Sequence, residues 1–385
     1  GVQTCALPIF ERLEGGCLQV DLPDGSSPRF GGDGSTALLV VHDWSAFGRI
    51  VRDGDIGFAE AWLDGQWDTP DLTGLLTLLA RNRRALEGAL YGSWAGRLAH
   101  RIVHALRANT RAGSRRNIAA HYDLGNDFYA LWLDPGMTYS SALFRAGAED
   151  LASAQAAKYA RVLEELQLAP NSQVLEIGCG WGGFAELCLG AGHRLTGVSL
   201  SRRQLAYAGE RLERAGLAAG AALEYRDYRD LQGNYDGIAS IEMLEAVGER
   251  WWPAYFGKLA SLLRPGGRAV VQSILIDPAL FPRYRRGSDF IQQYIFPGGM
   301  LPTGERVHAL AREAGLAVRA DFRFGGSYAR TLSLWHHKVL DQAEAIRRLG
   351  FDARFLRLWR FYLAYCEAGF LSGSTDVAQF TLQRN

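Results

Sequence analysis

The sequence has few cysteines and no long hydrophobic run. Its five cysteines form no C-x-x-C pair, which argues against a zinc site or a disulfide framework and suits a reducing cytoplasm. No apolar run reaches the roughly 18 residues that a transmembrane helix needs. The first ten residues lack the basic start of a signal peptide and are too short for one, and whether they belong to the native fold stays open. We therefore expect a cytoplasmic protein without a metal site.

The chain also lacks an excess of charge of either sign. Lysine and arginine total 42, against 41 aspartates and glutamates, so the whole protein has the charge neither of a nucleic-acid binder nor of an acidic, solvated chain. Residues 81–116 depart from this balance, with nine arginines and one acid, Glu87. Their basic and apolar stripes fit a helix on an anionic membrane surface and fit a solvated linker helix equally well. Because no nucleic-acid motif accompanies the charge, we do not expect nucleic acid as a partner.

Glycine is placed where a ligand-binding turn needs it. The stretch Val174–Phe184 reads VLEIGCGWGGF, a short buried strand followed by Gly178, Gly180 and Gly183 in G-x-G-x-x-G spacing and by a helix. Glycine permits a tight turn and lets backbone N–H groups approach a ligand. The spacing alone also fits a dinucleotide-binding turn. Glu176, two residues before the first glycine, resembles motif I of the class I S-adenosylmethionine methyltransferases more closely.

The pattern along the chain predicts two domains. From residue 148, helices and strands alternate as in a doubly wound α/β sheet. Residues 16–80 predict a small α+β domain, so we expect an N-terminal lipid- or membrane-associated domain with its basic linker at 11–110 and a Rossmann-like catalytic domain at 111–385. The predicted strands of the second domain lie at 173–178, 194–198, 222–226, 235–240, 267–276, 317–322, 329–336 and 376–383.

The end of the second strand of that domain lacks an expected acid. A ribose-binding Asp or Glu usually follows such a strand, about 20 residues after the glycine turn, but the chain reads VSLS from Val198. Ser199 and Gln204 can still hydrogen-bond ribose hydroxyls, because both side chains offer donors and acceptors.

Five ordered motifs carry a more specific resemblance. They are HYDLGNDFYALWLDPGMTYSSALF from His121, VSLSRRQ from Val198, SIEMLEAVG from Ser240, YIFPGGMLP from Tyr294 and SYARTL from Ser327. On these motifs the chain is similar, over about 115–385, to the cyclopropane fatty acid synthases and the mycolic acid modifying branch of the S-adenosylmethionine-dependent methyltransferases. GDIGFAEAWLDGQW, from Gly54, also resembles the N-terminal domain of the members that act on bacterial phospholipids.

The resemblance implies a reaction on a lipid. Methyl transfer from S-adenosylmethionine to a cis double bond of an unsaturated phospholipid acyl chain leaves a carbocation, and loss of a proton then closes a cyclopropane ring. Aromatic faces stabilise such charge by about 0.5–2 kcal/mol each. The candidates for that role, each of which fits a plain core position as well, are Tyr139, Phe144, Trp181 and Tyr328.

The family's base is a bound bicarbonate, held by a carboxylate, a tyrosine, a histidine, a cysteine and the backbone. By position, the carboxylate is Glu245, the tyrosine is Tyr328, and the backbone group falls at Ile274. The chain departs from the pattern at the cysteine, which is Ser141, and at the histidine, which is Gln272. Serine and glutamine still hydrogen-bond anions, so the resemblance leaves bicarbonate open.

Two further departures lie around the carboxylate. A second histidine of the family is replaced by Ala246, and Glu242 is an additional acid, either a proton acceptor or a structural group near the cofactor. Loss of a different proton would leave a methyl or methylene branch instead of a ring. Cys366 matches a cysteine long regarded as active in the family. Since alkene methylation needs no thiol nucleophile, a buried structural role fits it as well.

The resemblance also implies the cofactor contacts. Tyr139 and Ser140 are expected over the methionine part, Ser199 and Gln204 at the ribose, and Asp227 and Tyr228 at the adenine. The residues expected to line the turn beneath the methionine part are Glu176, Gly178, Cys179, Gly180, Trp181 and Gly183.

We therefore expect an enzyme that is peripheral to the inner membrane face and acts on phospholipid acyl chains. The sequence leaves a homodimer open. An ordinary small-molecule methyltransferase is the first rival, but the motif at 121–144 and the missing ribose acid argue against it. The second rival is a lipid-binding protein without catalysis. Glu245, Tyr328 and the intact glycine turn argue against that interpretation.

Overall fold

The structure is a computed structural model that describes residues 7–83, 85–86, 124–145 and 150–385. Most of the basic segment 81–116 and the start of the motif at 121–144 lie outside the described residues. The chain divides into two compact units. Among the described residues, no helix combines the length and apolarity that crossing a membrane requires.

The first unit contains a small four-stranded sheet. Its strands are β1 (Cys17–Asp21), β2 (Arg29–Gly31), β3 (Thr36–Val41) and β4 (Trp67–Asp68), in the order β2-β1-β3-β4. β1 and β3 run parallel, and the other pairs are antiparallel. This unit is the expected small α+β domain. Its helices are Ser45–Asp53, Asp55–Leu63, Leu72–Arg81, Phe290–Tyr294, Ala343–Arg348 and Ala353–Leu371.

The first unit also draws on two segments from late in the chain, 282–295 and 332–374. The Trp62 indole N–H, for example, donates to the backbone oxygen of Arg357 at 3.0 Å. Thr73 donates to the Glu367 carboxylate at 2.9 Å. The domain boundary expected near residue 110 lies outside the described residues, and the late segments were not expected in this unit from the sequence.

The second unit contains the main sheet. Its strands are β5 (Gln173–Ile177), β6 (Arg194–Ser199), β7 (Ala221–Tyr225), β8 (Tyr235–Ile241), β9 (Leu263–Ile276), β10 (Leu316–Arg323) and β11 (Thr375–Arg384), in the order β10-β11-β9-β8-β5-β6-β7. Strands β5 to β9 pair in parallel. β11 is antiparallel to both of its neighbours. The expected Rossmann-like, doubly wound sheet is confirmed.

Helices cover this sheet and bury its apolar side chains. Parallel strands are buried on both faces and therefore read as near-continuous apolar runs, as VLEI does in β5. Val162, Phe184, Leu195, Leu212 and Val270 belong to one buried cluster. The helices of this unit are Asn126–Ala130, Leu151–Leu166, Gly183–Gly190, Arg202–Arg214, Leu244–Val247, Trp252–Leu262 and Gly304–Glu313.

One predicted strand is wrong. Residues 329–336 lie in a helix, Gly325–Asp341. Its buried positions include Tyr328, Leu332, Trp335 and Val339, which recur every three or four residues as a helix requires. Leu332 and Leu334 alternate with Thr331 and Ser333, a pattern that also fits a strand, but the helical period decides the structure. A smaller difference is that β9 begins at Leu263 rather than at 267.

Candidate active site

The glycine turn follows β5 and adopts backbone conformations that favour glycine. Gly178, Gly180 and Gly182 have positive φ angles of 83°, 51° and 82°, whereas the predicted third glycine of the turn, Gly183, begins the next helix. A Cβ added at Gly180 meets no atom within 4 Å. A Cβ at Gly178 would lie 2.7 Å from Cγ of Met243. The turn therefore leaves open space beside Gly180 and is tightly packed at Gly178.

Glu176 is buried beneath this turn, where it was expected. Its Oε2 atom has no hydrogen-bond partner among the described residues. Burial raises the pKa of this carboxyl well above its ordinary value, while the positive charges of Lys158 and Arg211 oppose the shift. A buried acceptor with no partner is costly unless a ligand supplies a donor. The ammonium group of a bound amino acid is such a donor.

Ser199 and Gln204 lie together after β6. The Ser199 hydroxyl donates to Oε1 of Gln204 at 3.1 Å and accepts from the Ser201 backbone N–H at 3.1 Å. Ser201 caps the helix Arg202–Arg214, with its side chain accepting from the Gln204 backbone N–H. Both predicted ribose ligands are thus held in place at the end of a parallel strand, where open α/β sheets bind ligands.

Asp227 and Tyr228 follow β7, as the sequence predicts. Both Asp227 carboxylate oxygens accept hydrogen bonds from Arg229, at 2.8 and 2.6 Å. The Tyr228 ring is buried against Tyr255, with ring centroids 5.5 Å apart. Burial raises the pKa of Tyr228 to about 12, so its hydroxyl stays protonated. The acid is therefore already paired with an arginine, which the sequence did not reveal.

The segment before the sheet forms an aromatic cluster. Tyr129, Trp132, Tyr139 and Trp181 lie with ring centroids 5.1–5.6 Å apart in successive contacts. The Trp181 indole N–H donates to Asn126 at 2.9 Å. Tyr139 and Trp181 are thus brought together with the glycine turn. Phe144 is placed differently, because the Arg330 guanidinium covers its ring at 4.1 Å, which disfavours it as a face for a substrate cation.

The sequence analysis missed one buried cation. Lys158, fully buried in the helix Leu151–Leu166, donates through Nζ to the Ser140 hydroxyl at 2.6 Å. Burial lowers the pKa of Lys158 to about 7, and Glu242, Asp134 and Glu176 act in the opposite direction. The signal in the sequence was a lysine four residues from both Ala154 and Val162, on the apolar face of that helix. Lys158 therefore links the expected cofactor side, at Glu176, with a second acid, Glu242.

Glu242 is the centre of the polar network. Its Oε1 accepts from the Ser141 backbone N–H and from Nε2 of Gln272, both at 2.8 Å, and its Oε2 accepts from the Tyr328 hydroxyl at 2.6 Å. Three of the residues predicted to hold an anion thus bind this side chain. The Ser141 hydroxyl itself donates to the Ala142 backbone oxygen at 2.9 Å.

Glu245 lies three residues further on, in the short helix Leu244–Val247. Its Oε1 accepts from the Ser273 hydroxyl at 3.1 Å and from the Ile274 backbone N–H. Its Oε2 has no hydrogen-bond partner among the described residues. Burial raises the pKa of Glu245 to about 8, and the charge of Glu242 adds to the shift. Burial and the neighbouring charge of Glu242 therefore favour the protonated form of Glu245.

The predicted residues differ in how well they fit a ligand. Glu176, the glycine turn, Ser199 and Gln204 fit S-adenosylmethionine, because the turn has open space and an unpaired buried acceptor. A free bicarbonate does not fit in the same way, because Tyr328, Gln272 and the Ser141 N–H already donate to Glu242. Cys366 belongs to the first unit, in the helix Ala353–Leu371. Burial raises the pKa of its thiol, which disfavours a thiolate nucleophile.

Comparisons with known proteins agree on one family. The family model described as mycolic acid cyclopropane synthetase matches residues 109–380. The chain is 38% identical over 379 residues to the tuberculostearic acid methyltransferase UfaA1 of Mycobacterium tuberculosis, covering 95% of this chain and 88% of that protein. It is 33% identical over 346 residues to the cyclopropane-fatty-acyl-phospholipid synthase of Escherichia coli, covering 88% and 85%.

A solved structure supports the same relationship. The crystal structure of the mycolic acid cyclopropane synthase CmaA1, complexed with SAH and CTAB, superposes with a TM-score of 0.66 at 29% identity. The match covers 70% of this chain and 98% of that one. SAH is the form that the methyl donor takes after methyl transfer, which agrees with the fit of the glycine turn to S-adenosylmethionine.

Proposed function

The chain belongs to the mycolic acid cyclopropane synthetase family of S-adenosylmethionine-dependent methyltransferases, and on that premise we propose that its acceptor is the cis double bond of an unsaturated phospholipid acyl chain. The observation that carries the proposal is that Lys158 donates to Ser140, an expected cofactor contact, at 2.6 Å, while the next residue, Ser141, donates its backbone N–H to Glu242 at 2.8 Å. The expected cofactor site and a buried acid therefore adjoin. Small-molecule methyl transfer to a heteroatom needs no such enclosed base next to an aromatic cluster.

The bound cofactor supplies an electrophilic methyl group on a sulfonium sulfur. An alkene is a weak nucleophile, so the protein must work mainly by positioning and by excluding water. Methylation of the double bond leaves positive charge on the chain. Tyr139 and Trp181, in the aromatic cluster beside the glycine turn, are our candidates to stabilise that charge, by about 0.5–2 kcal/mol each. A base then removes a proton.

The first candidate product is a cyclopropane ring, formed when the proton leaves the new methyl group and the C–H electrons close the ring. The family to which the chain belongs and the Escherichia coli relative support this product.

The second candidate product is a methyl or methylene branch. The methylene branch forms when a hydrogen first shifts within the cation, so that the proton lost from the methyl group leaves a double bond instead of a ring. A methyl branch needs in addition the reduction of that double bond by a separate hydride donor. The relative named a methyltransferase, at 38% identity over nearly the whole chain, and the replacement of the expected histidine by Gln272 favour this product.

We also propose that the enzyme works at the cytoplasmic face of the membrane as a peripheral protein. The arginines of 81–116 support this location, since each basic residue near an anionic surface contributes about 1 kcal/mol. Relatives named for phospholipid acyl chains fit the same location.

Lipid mass spectrometry tests the proposal. Cells without such an enzyme are made to express the protein or its Gly180→Val variant, and their phospholipid acyl chains are compared. We expect unsaturated chains to gain one carbon with the wild type only. Ring and methylene chains have the same mass, but mild catalytic hydrogenation adds hydrogen only to the methylene chain. Unchanged acyl chains, with methyl label on a small molecule instead, would overturn the proposed acceptor.

A further inference from the structure

We propose that the carboxylate of Glu242 is the chain's own base, standing where a free anion would otherwise bind and taking the proton from the methylated acyl chain. The inference rests on the proposed function and deepens it. It also departs from the expectation that Glu245 and a bound bicarbonate share this role.

The donors around Glu242 are the first line of support. Tyr328, Gln272 and the Ser141 N–H come from a helix, from β9 and from the segment before the sheet, yet all three converge on one carboxylate at 2.6–2.8 Å. Charge-assisted bonds of this length are roughly twice as strong as neutral ones. The side chain therefore occupies the anion-binding position that the sequence predicted for a ligand.

The backbone of Glu242 is the second line of support. Its φ angle is +52°, in the left-handed region that a non-glycine residue adopts only at a cost. The backbone N–H of Glu242 donates to the backbone oxygen of Gln272 at 2.8 Å, which fixes this conformation just after β8. Strained residues of this kind cluster at functional sites. Here the strain directs the carboxylate toward the donors.

Two side-chain amides in series orient the Gln272 amide toward Glu242. Arg161 can only donate, and it donates to Oε1 of Gln379 at 2.8 Å. Nε2 of Gln379 therefore points to Oε1 of Gln272, at 2.9 Å, and Nε2 of Gln272 must point to Glu242. Because the arginine fixes the direction of both amides, the network ends in a donor. It requires an acceptor at Oε1 of Glu242, as an ionised carboxylate provides.

The neighbouring acid, Glu245, bears on which of the two carboxyls is ionised. Two adjacent buried carboxyls cannot both ionise cheaply. Burial raises the pKa of both carboxyls, but at Glu242 the hydrogen bonds from Tyr328 and Ser141 and the charge of Lys158 oppose that shift. Both oxygens of Glu242 accept hydrogen bonds. Glu245 has one oxygen without a partner among the described residues. Glu242 is therefore the ionised member of the pair and Glu245 the protonated one.

The proton balance is simple. Glu242 accepts a proton from carbon, and the electrons of the broken C–H bond form the new C–C bond of a ring or the C=C bond of a branch. The resulting neutral carboxyl returns its proton to solvent before the next turnover. No oxidant, reductant or added anion is consumed.

Anion rescue tests the proposal with two variants. Glu242→Gly removes the carboxylate and opens its position, and glycine tolerates the positive φ, so the variant should fold. Glu242→Gln keeps the volume and leaves no room for an anion. Both should lose about 10²–10⁴-fold in turnover. Formate or bicarbonate should restore Glu242→Gly only, and calorimetry should detect formate binding to that variant but not to the wild type.

The wild type is compared with and without bicarbonate. Its turnover in buffer freed of carbon dioxide should equal its turnover with added bicarbonate. Stimulation of the wild type by bicarbonate, or full turnover of Glu242→Gln, would overturn the role of Glu242. Failure of the proposed function is distinct, because then the wild type would not methylate acyl chains under any condition while still binding S-adenosylmethionine.

Discussion

The hydroxyl of Tyr328 donates to Oε2 of Glu242 at 2.6 Å, across 86 residues of sequence. Tyr328 is buried near the start of the helix Gly325–Asp341, and Glu242 follows β8. Their bond joins the tyrosine that the sequence predicted to an acid whose role it left open. It also indicates which group in the pocket carries the negative charge.

Tyr328→Phe should reduce the ionised fraction of Glu242 at acidic and neutral pH. A hydrogen bond to a charged group contributes about 1.5–3 kcal/mol, so the pKa of Glu242 should rise by roughly one to two units, and turnover at a pH below that pKa should fall up to about tenfold per unit. Burial raises the pKa of Glu242 and the Tyr328 hydrogen bond opposes that shift, so the acidic limb of the pH–rate profile should move to higher pH in the variant. Steady-state rates across pH measure both effects.

Tyr255→Phe is the matched control for that substitution. Tyr255 is also buried and donates its hydroxyl to Ser240 at 2.7 Å. Loss of this hydrogen bond should lower the melting temperature without moving the acidic limb of the pH–rate profile. An identical pH shift in both variants would contradict the role of Tyr328.

Glu245→Gln should change how stability depends on pH. Burial raises the Glu245 pKa from its ordinary value of 4.5 to about 8, so between these values the folded protein holds a proton that the unfolded chain has lost. Wild-type stability should therefore fall as pH rises through this window, by at most about 1.4 kcal/mol per pH unit. Glutamine does not titrate. Denaturant unfolding of both proteins from pH 5 to 7 should show the wild type losing stability relative to the variant, and parallel curves would refute the protonated state.

Gly180→Val should abolish cofactor binding. Gly180 has a φ angle of +51°, and a Cβ there would enter the open space beside the turn. Gly192→Val is the control, since Gly192 also has a positive φ, +86°, and open space around its Cβ. Calorimetry with S-adenosylmethionine should detect no binding to the first variant and near-normal affinity for the second. Equal affinities would refute the placement of the cofactor.

Replacing Arg97, Arg101 and Arg107 by glutamine should weaken binding to anionic vesicles. Each basic residue near the surface contributes about 1 kcal/mol, and salt screens the attraction, so the loss should be greatest at low ionic strength. The control replaces three exposed arginines elsewhere, Arg312, Arg347 and Arg348. Cosedimentation with vesicles of neutral and anionic lipid measures the difference. Equal binding to both kinds of vesicle would favour the linker interpretation of this segment.

The sequence predicted the main sheet well because its signals are local. Apolar runs, glycine turns and caps such as Ser201 lie within a few residues of the elements that they specify. The strand predicted at 329–336 failed because a short apolar run fits strands and helices alike. The assembly of the first unit was also missed, because the contact of Trp62 with Arg357 joins residues 295 apart.

The residues of the site were predicted only in part, because the contacts among them join distant parts of the sequence. Resemblance identified Glu245, Tyr328 and Gln272 as neighbours of an anion. It could not show that Glu242 fills that position, because its left-handed backbone and its bond to Tyr328 depend on the tertiary fold. Lys158 was missed because one lysine in a helical pattern usually reaches solvent, whereas here its ammonium group is enclosed and bonded to Ser140.

Deuterium labelling tests the central claim most directly. The wild type is given S-adenosylmethionine with a fully deuterated methyl group, together with vesicles of unsaturated or saturated phospholipid. If the methyl group reaches the double bond and a base then takes a proton from it, the acyl product gains one carbon bearing two deuterium atoms, and the saturated lipid gains none. An acyl product that keeps all three deuterium atoms, or equal labelling of saturated lipid, would contradict the account.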